Sequence, residues 1–88
     1  MSAFTYSRHA QEEMARRGIP QLLVDSVLRA PQQIVREQNG RVAYQSQVDF
    51  GEGQIFLLRA IVVDMVDPAV VVTVYRTSKI NKYWRGTP

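Results

Sequence analysis

The order of its helical and strand-like segments constrains this chain most. Helical patterns fill residues 1–30, and strand patterns fill residues 33–76. Each helix must bury an apolar stripe, and the sheet offers the only large apolar face that can receive it. We therefore expect an α+β fold in which two N-terminal helices pack on one face of a four-stranded antiparallel sheet, in the order ααββββ. The other face of the sheet is expected to be partly open to a ligand.

The length of 88 residues limits the chain to one hydrophobic core. We predict a single domain over residues 1–88, with a helical part at 1–30, an antiparallel sheet at 33–76 and a basic tail at 77–88. A domain of this size buries only about 60–65% of the surface of its unfolded chain, so it gains from a partner, and a homodimer is one candidate.

Capping signals place the two helices. Ser7 is expected to cap a first helix over about Arg8–Arg17, because its hydroxyl can accept a backbone amide one turn later, and Gly18 ends that helix. A second helix begins after Pro20 and ends at Ala30-Pro31, because a proline disfavours the α conformation in the residue before it.

Four strand patterns follow, at Gln33–Glu37, Arg41–Val48, Gln54–Asp64 and Ala69–Arg76. The first two flank Asn39-Gly40, which is a strong hairpin signal because both residues tolerate positive φ. The last two are rich in branched apolar residues, so we predict that they are the central strands.

Composition excludes several kinds of protein. The absence of cysteine excludes disulfides, a thiolate nucleophile and Cys-based metal sites. Asp49 with Glu52, and Asp64 with Asp67, are interpreted as acids of turns, because the histidines or dense carboxylates of zinc and calcium sites are missing. The N-terminus lacks the apolar stretch of a signal peptide, and the run Ile55–Val63 is too short to span a bilayer. We expect a cytoplasmic protein with no cofactor, no metal and no membrane contact.

The charges are unevenly distributed. Residues 1–67 contain seven Lys/Arg and eight Asp/Glu, whereas residues 68–88 contain four Lys/Arg and no acid. Phosphates attract cations, and unstacked bases stack on aromatic rings, so the end of the chain is a candidate for binding nucleic acid. The candidate residues are Arg76, Lys79, Lys82, Tyr83, Trp84 and Arg85. The alternative is a solvated end whose Tyr83 or Trp84 packs back on the domain.

His9 is the only histidine and therefore the natural candidate for proton transfer near neutral pH. Helical spacing places Glu12, Glu13 and Arg16 on the same side of the first helix. The alternative is a solvated helix face with an ordinary ion pair. This alternative is favoured, because exposed ion pairs between residues four apart on a helix are common.

Arg59 lies inside an apolar strand, on the side that also carries Leu57 and Ile61. A guanidinium in that position must find an anion or reach solvent. It is equally well explained by a functional role and by a structural one, such as pairing with Glu13 or lying on the open face of the sheet. On the adjacent strand, Thr73 and Tyr75 share one side.

Short strings within Tyr6–Arg76 resemble a bacterial domain family of unknown function. They are Tyr6-Ser7-Arg8-His9-Ala10, Arg17-Gly18-Ile19, the helix end Val27-Leu28 and the strand Val71–Tyr75. The corresponding family pattern is a Ser-x-His-Ala opening, an Arg-Gly-Ile helix break and a Val-Thr-Val-Tyr closing strand. That family is similar, at greater distance, to the compact RNase-like fold of RelE-type and barnase-type toxins. The Lys/Arg-rich sheet of RelE-type toxins has no clear counterpart here.

The resemblance implies a toxin-like, metal-independent endoribonuclease of a toxin-antitoxin system, with RNA as substrate and a cognate acidic antitoxin as partner. The site residues that it implies are His9, Arg17, Arg59, Thr73 and Tyr75.

The chemistry of such an enzyme requires a proton acceptor, a proton donor and cations that stabilise the charge on phosphorus. His9 would serve as base or acid, Tyr75 or Glu13 as the complementary group, and Arg59 with Arg17 or Arg76 as the electrostatic clamp. Two alternatives stay open, a non-catalytic nucleic-acid-binding module and a protein-interaction module.

Overall fold

The structure, a computed structural model, describes residues 4–86. Residues 1–3 and 87–88 of the predicted domain, which include the end of its basic tail, lie outside the described residues. The elements are β1 (Phe4–Tyr6), α1 (Arg8–Arg17), α2 (Gln21–Arg29), β2 (Gln33–Arg36), β3 (Arg41–Asp49), β4 (Ile55–Val63), β5 (Ala69–Thr77) and α3 (Ile80–Tyr83). No helix within the described range is long and apolar enough to cross a membrane.

The sheet is mixed and five-stranded, in the order β1-β5-β4-β3-β2. Its neighbours pair antiparallel except β1 and β5, which are parallel and place Phe4 opposite Ala69. The predicted four-stranded antiparallel sheet in the order ααββββ is therefore wrong, although the α+β class is correct. The missed strand is β1, because its three residues are too few to show strand periodicity. It is held by pairing with β5, which continues in the hydrogen bond from Ser7 N–H to the Val71 carbonyl (2.9 Å).

The two predicted helices are confirmed. They could be predicted because local hydrogen bonds and backbone conformations set their ends. The Ser7 hydroxyl accepts the Ala10 amide at 3.0 Å, and Gly18 ends α1 with a φ of 66°. Helix α2 follows Pro20, and the amide of Ala30 donates to the Ser26 carbonyl at its end. The Asn39-Gly40 hairpin is also confirmed, with φ values of 62° and 72°.

One face of the sheet packs against both helices. The buried core there consists of Ala10, Met14, Ile19, Val24, Val27, Leu28, Val42, Leu58, Ala60, Val62, Val71 and Val74. A bulge between Ile61 and Val62 changes the register with β5, so that Val62 lies opposite Val71 while Ile61 lies opposite Thr73. Both Val71 and Val74 thereby reach the helical side, although they are three residues apart.

The opposite face of the sheet carries one polar residue at its centre from each of the three longest strands. Gln45 lies opposite Arg59, and Arg59 lies opposite Tyr75. Strand alternation directs these residues away from Leu58 and Ala60, and hence away from α1 and α2. Helix α3 covers part of this face, since the Gln45 amide donates to the Tyr83 carbonyl at 3.2 Å. The predicted basic tail therefore begins as the end of β5 and then forms a helix on the sheet.

Candidate functional site

Arg59 is the centre of the polar face and is only 2% exposed. Its three nitrogens each donate to a different partner: Nε to Gln45 Oε1 at 2.8 Å, Nη1 to the Tyr75 hydroxyl at 2.6 Å, and Nη2 to Glu37 Oε2 at 2.9 Å. The side chain therefore has a neutral partner on each neighbouring strand and an anionic partner at the end of β2. A buried guanidinium is stable only with such a set of acceptors.

Two tyrosine rings complete the surroundings of this guanidinium. Arg59 Cζ lies 4.3 Å from the centre of the Tyr83 ring and 5.7 Å from that of Tyr75. Burial raises the pKa of the Tyr75 hydroxyl above its ordinary value, and the hydrogen bond and charge of Arg59 oppose that shift. The Tyr75 hydroxyl therefore keeps its proton at neutral pH while it accepts a hydrogen bond from Arg59.

A chain of amides links Arg59 to the C-terminal segment. Gln45 is fully buried, and its Nε2 donates to Gln33 Oε1 at 2.8 Å. Gln33 in turn binds the backbone of Arg85 twice, through its Nε2 to the carbonyl at 2.6 Å and its Oε1 to the amide at 3.1 Å. The segment after α3 is therefore fastened to β2 beside the buried arginine.

An open groove of about 560 Å³ borders this cluster, and we call it the arginine groove. Its lining residues are Arg36, Glu37, Gln38, Arg41, Ile61, Tyr75 and Arg85. Three arginines and one glutamate therefore line one solvent-accessible space. Guanidiniums in such a groove can bind phosphate oxygens in pairs, and a carboxylate beside them can accept a proton.

Four of the residues predicted from the sequence belong to this region. Arg59 and Tyr75 are hydrogen-bonded to each other, Tyr83 lies over the guanidinium, and Arg85 lines the arginine groove. Thr73 lies opposite Ile61, a residue of the groove wall. The alternation of side chains along β4 and β5 was therefore sufficient to bring Arg59, Thr73 and Tyr75 to one face of the sheet, whereas Tyr83 and Arg85 reach it through α3 and the segment after it.

The residues predicted on α1 are not part of this cluster. His9 is exposed on α1, which packs on the other face of the sheet, so the expected meeting of His9 with Arg59 across one cleft is not found. Glu13 binds Arg16 and Arg17 of its own helix. The Arg59–Glu13 pair, one of the two structural explanations offered for Arg59, is not formed, because β4 directs Arg59 away from the helices and its anion is Glu37.

The predicted nucleic-acid-binding residues lie in several places. The Arg76 guanidinium stacks 4.5 Å from the Phe50 ring and 4.6 Å from the Phe56 ring. Lys79 and Lys82 are exposed, and Trp84 is half-buried. Only Tyr83 and Arg85 of this set are in contact with the Arg59 cluster or its groove.

Sequence reasoning missed Glu37, Gln45 and Gln33, and the arginines at positions 36 and 41. Gln45 carried a usable signal, because it is a polar residue in a strand that alternation turns toward Arg59 once the hairpins are paired. Glu37 is placed beside Arg59 by the register that the Asn39-Gly40 turn sets, with Val35 opposite Ala43 and thus Glu37 near Arg41.

Glu13 gives the fold a measurable pH dependence. The hydrogen bonds from Arg17 and then Arg16 lower the pKa of Glu13 below its ordinary value of 4.5. A carboxyl whose pKa is lower in the folded state stabilises that state above the unfolded pKa, and this stabilisation is lost as the pH falls through the folded pKa. We expect Glu13→Gln to be less stable than the wild type in urea at pH 7 and to approach it below pH 4.5.

The control for that measurement is Glu12→Gln, since no ion pair of Glu12 occurs within residues 4–86. This variant should follow the wild type at both pH values. A gap between wild type and Glu13→Gln that stays constant with pH would contradict the assignment.

A comparison with protein families gives one match. The model of the family described as Domain of unknown function (DUF4258) matches residues 6–76. No curated protein and no solved structure matches the chain. The matched range agrees with the resemblance over Tyr6–Arg76 and includes Glu37, Arg59 and Tyr75, whereas α3 and Arg85 follow it. The chain belongs to the DUF4258 family of domains of unknown function.

Proposed function

We propose that the protein is a toxin-like, metal-independent endoribonuclease whose reaction takes place in the arginine groove. The observation that carries the proposal is the buried Arg59, which holds both Glu37 and Tyr75 at the wall of a groove lined by further arginines. A charged residue kept in the middle of a sheet costs stability, and fixed donors beside a carboxylate are what phosphoryl chemistry requires.

The groups in the groove have complementary roles in cleavage of an RNA phosphodiester. Because Arg59 binds Oε2 of Glu37, the other oxygen, Oε1, accepts the proton of the ribose 2′-hydroxyl. The 2′-oxygen forms a bond to phosphorus as the bond from phosphorus to the 5′-oxygen breaks, and the Tyr75 hydroxyl gives its proton to that leaving oxygen. The products are a 2′,3′-cyclic phosphate and a free 5′-hydroxyl.

The arginines stabilise the charges that develop in this step. Arg36, Arg41 and Arg85 line the groove where the negative charge on the phosphoryl oxygens would gather. Arg59 donates to the Tyr75 oxygen at 2.6 Å and so stabilises the phenolate left by proton transfer. His9 has no part in this scheme, because it lies on the helical side of the sheet.

The sequence strings resemble a domain family that is similar, at greater distance, to RelE-type and barnase-type toxins, and this distant resemblance supports the same activity. Under this proposal the protein is the toxin of a toxin-antitoxin pair, and an acidic antitoxin neutralises it. The net charge of +3 favours both RNA and an acidic partner.

The test is incubation of the purified protein with a single-stranded RNA in excess EDTA, followed by analysis of the new ends. We expect fragments with 2′,3′-cyclic phosphates, no cleavage of the same oligonucleotide with 2′-deoxyribose throughout, and wild-type rates for His9→Ala. Intact RNA would overturn the proposal. A large loss of activity in His9→Ala would overturn the placement of the reaction in the arginine groove.

The lining of the groove by three arginines also favours a second candidate, a non-catalytic module that binds nucleic acid. Salt-dependent binding of RNA without cleavage would select it, because each phosphate neutralised by an arginine releases counterions. Binding that is equal for RNA and DNA would support this second candidate further, since phosphates are common to both.

A further inference from the structure

We propose that the outer edge of β2 binds an extended acidic segment of a partner protein, which adds to the sheet as a strand. Strand β2 ends the sheet, and no strand within residues 4–86 pairs with its outer side. An open edge presents unpaired backbone groups that an extended chain can bind, while pockets beside the edge select its side chains.

The hydrogen-bonding pattern identifies the free backbone groups. The Glu37 amide donates to the Arg41 carbonyl at 2.8 Å, so this pair is hydrogen-bonded across the hairpin. Hydrogen-bonded and non-hydrogen-bonded pairs alternate along an antiparallel ladder. Val35 and Gln33 therefore use their backbone groups on β3, whereas the N–H and C=O groups of Ile34 and Arg36 point away from the sheet.

A second groove, which we call the edge groove, runs beside these groups. It has a volume of about 480 Å³ and is lined by Gln33, Ile34, Val35, Arg36 and Arg85. Ile34 is 57% exposed and supplies an apolar contact. The edge of the sheet therefore offers backbone donors and acceptors, an apolar side chain and two arginines in one place.

Charge selects the occupant. Arg36 and Arg85 line the edge groove, and no acid among the described residues lines it. A second copy of β2 paired with this edge would bring further arginines to the same place, and like charges across strands are destabilising. A segment with carboxylates that reach Arg36 and Arg85 would neutralise them. Because Ile34 and Arg36 are on the same side of β2, an apolar residue two positions from the acid at Arg36 would cover Ile34.

Occupation of the edge would also affect the arginine groove, because Arg36 and Arg85 line both grooves. A bound acidic strand would compete with phosphate for these two guanidiniums. This consequence rests on the proposed ribonuclease activity, whereas the binding itself does not.

The binding test uses a short, end-blocked peptide that repeats Glu-Glu-Val-Val, so that each face of the bound strand carries both glutamate and valine. The peptide is titrated into the whole protein by calorimetry without RNA. We expect saturable binding, and about tenfold weaker binding by Ile34→Pro, which removes one outward N–H and leaves the β2–β3 ladder in place. Arg36→Glu should also weaken binding, while Arg29→Glu, on an exposed residue at the end of α2, should not.

Matched peptides keep the test decisive if a protein variant is unstable. The same peptide with alternate backbone nitrogens methylated, and the peptide with lysine in place of glutamate, should not bind. Equal binding of the methylated peptide, no binding by the unmodified one, or a wild-type homodimer that Ile34→Pro dissociates would overturn the proposal. Peptide binding together with undiminished RNA cleavage would overturn only the competition for Arg36 and Arg85, and peptide binding by a protein that leaves RNA intact would overturn only the ribonuclease.

Discussion

Replacement of Glu37 by glutamine should lower the rate of RNA cleavage by about 100- to 10,000-fold, the range expected for loss of a general base. The glutamine oxygen can still accept the hydrogen bond from Arg59 Nη2, so the geometry of the cluster should survive. The amide cannot accept the 2′-hydroxyl proton. Initial rates on a single-stranded RNA in EDTA measure the effect, and the growth of cells that express each variant gives a second readout.

The matched control is Glu12→Gln, which makes the same chemical change on the exposed surface of α1. It should cleave RNA at the wild-type rate and have the same effect on growth as the wild type. Far-ultraviolet circular dichroism and the urea midpoint of Glu37→Gln should remain close to those of the wild type. A folded Glu37→Gln protein with undiminished cleavage would exclude Glu37 as the base.

Replacement of Arg59 by alanine should lower the free energy of unfolding by about 3–5 kcal/mol, the cost of removing one partner from a buried charged cluster. The change removes the donor to Oε1 of the fully buried Gln45 and leaves a cavity beneath the Tyr83 ring. Glu37 can rehydrate because 31% of its side chain is exposed. Urea unfolding followed by circular dichroism measures the loss.

Two further variants separate the causes of that loss. Arg59→Met fills much of the same volume, so its cost should fall to about 1–3 kcal/mol, the penalty for leaving the Gln45 oxygen unpaired. Arg76→Ala also removes a guanidinium stacked on two rings, but from a half-buried site, and should cost about 0.5–1 kcal/mol. An Arg59→Ala protein within 1 kcal/mol of the wild type would show that the cluster does not stabilise the fold.

The helices were predictable because local chemistry determines them. A hydroxyl at Ser7, a positive φ at Gly18 and a proline after Ala30 act within one turn of the residues that they affect. The importance of Arg59 was also visible, since a charge at an apolar position of a strand needs a partner whatever the topology.

The remaining errors involve contacts between residues distant in sequence. Strand β1 exists only because β5 is beside it, and the bulge after Ile61 shifts the alternation of β5 by one residue. The identity of the carboxylate that pairs with Arg59 depends on which face of the sheet each element covers. Local sequence patterns do not reveal that α1 and Glu37 lie on opposite faces. His9 was proposed because histidine is suited to proton transfer near neutral pH, a property that says nothing about where the side chain lies in the fold.

The parallel pairing of β1 with β5 has a consequence during translation. Phe4–Tyr6 leave the ribosome early, but their hydrogen-bonding neighbours, residues 69–71, are synthesised more than sixty residues later. Until then the beginning of the nascent chain has no strand to join, and α1 lacks β5, the strand on which it packs, whereas α2 can already pack on β3 and β4. Strand β5 is synthesised last and pairs with β1 on one side and β4 on the other, so it completes the sheet. An mRNA truncated before codon 69 would therefore yield a chain that proteases can degrade rather than a smaller folded protein.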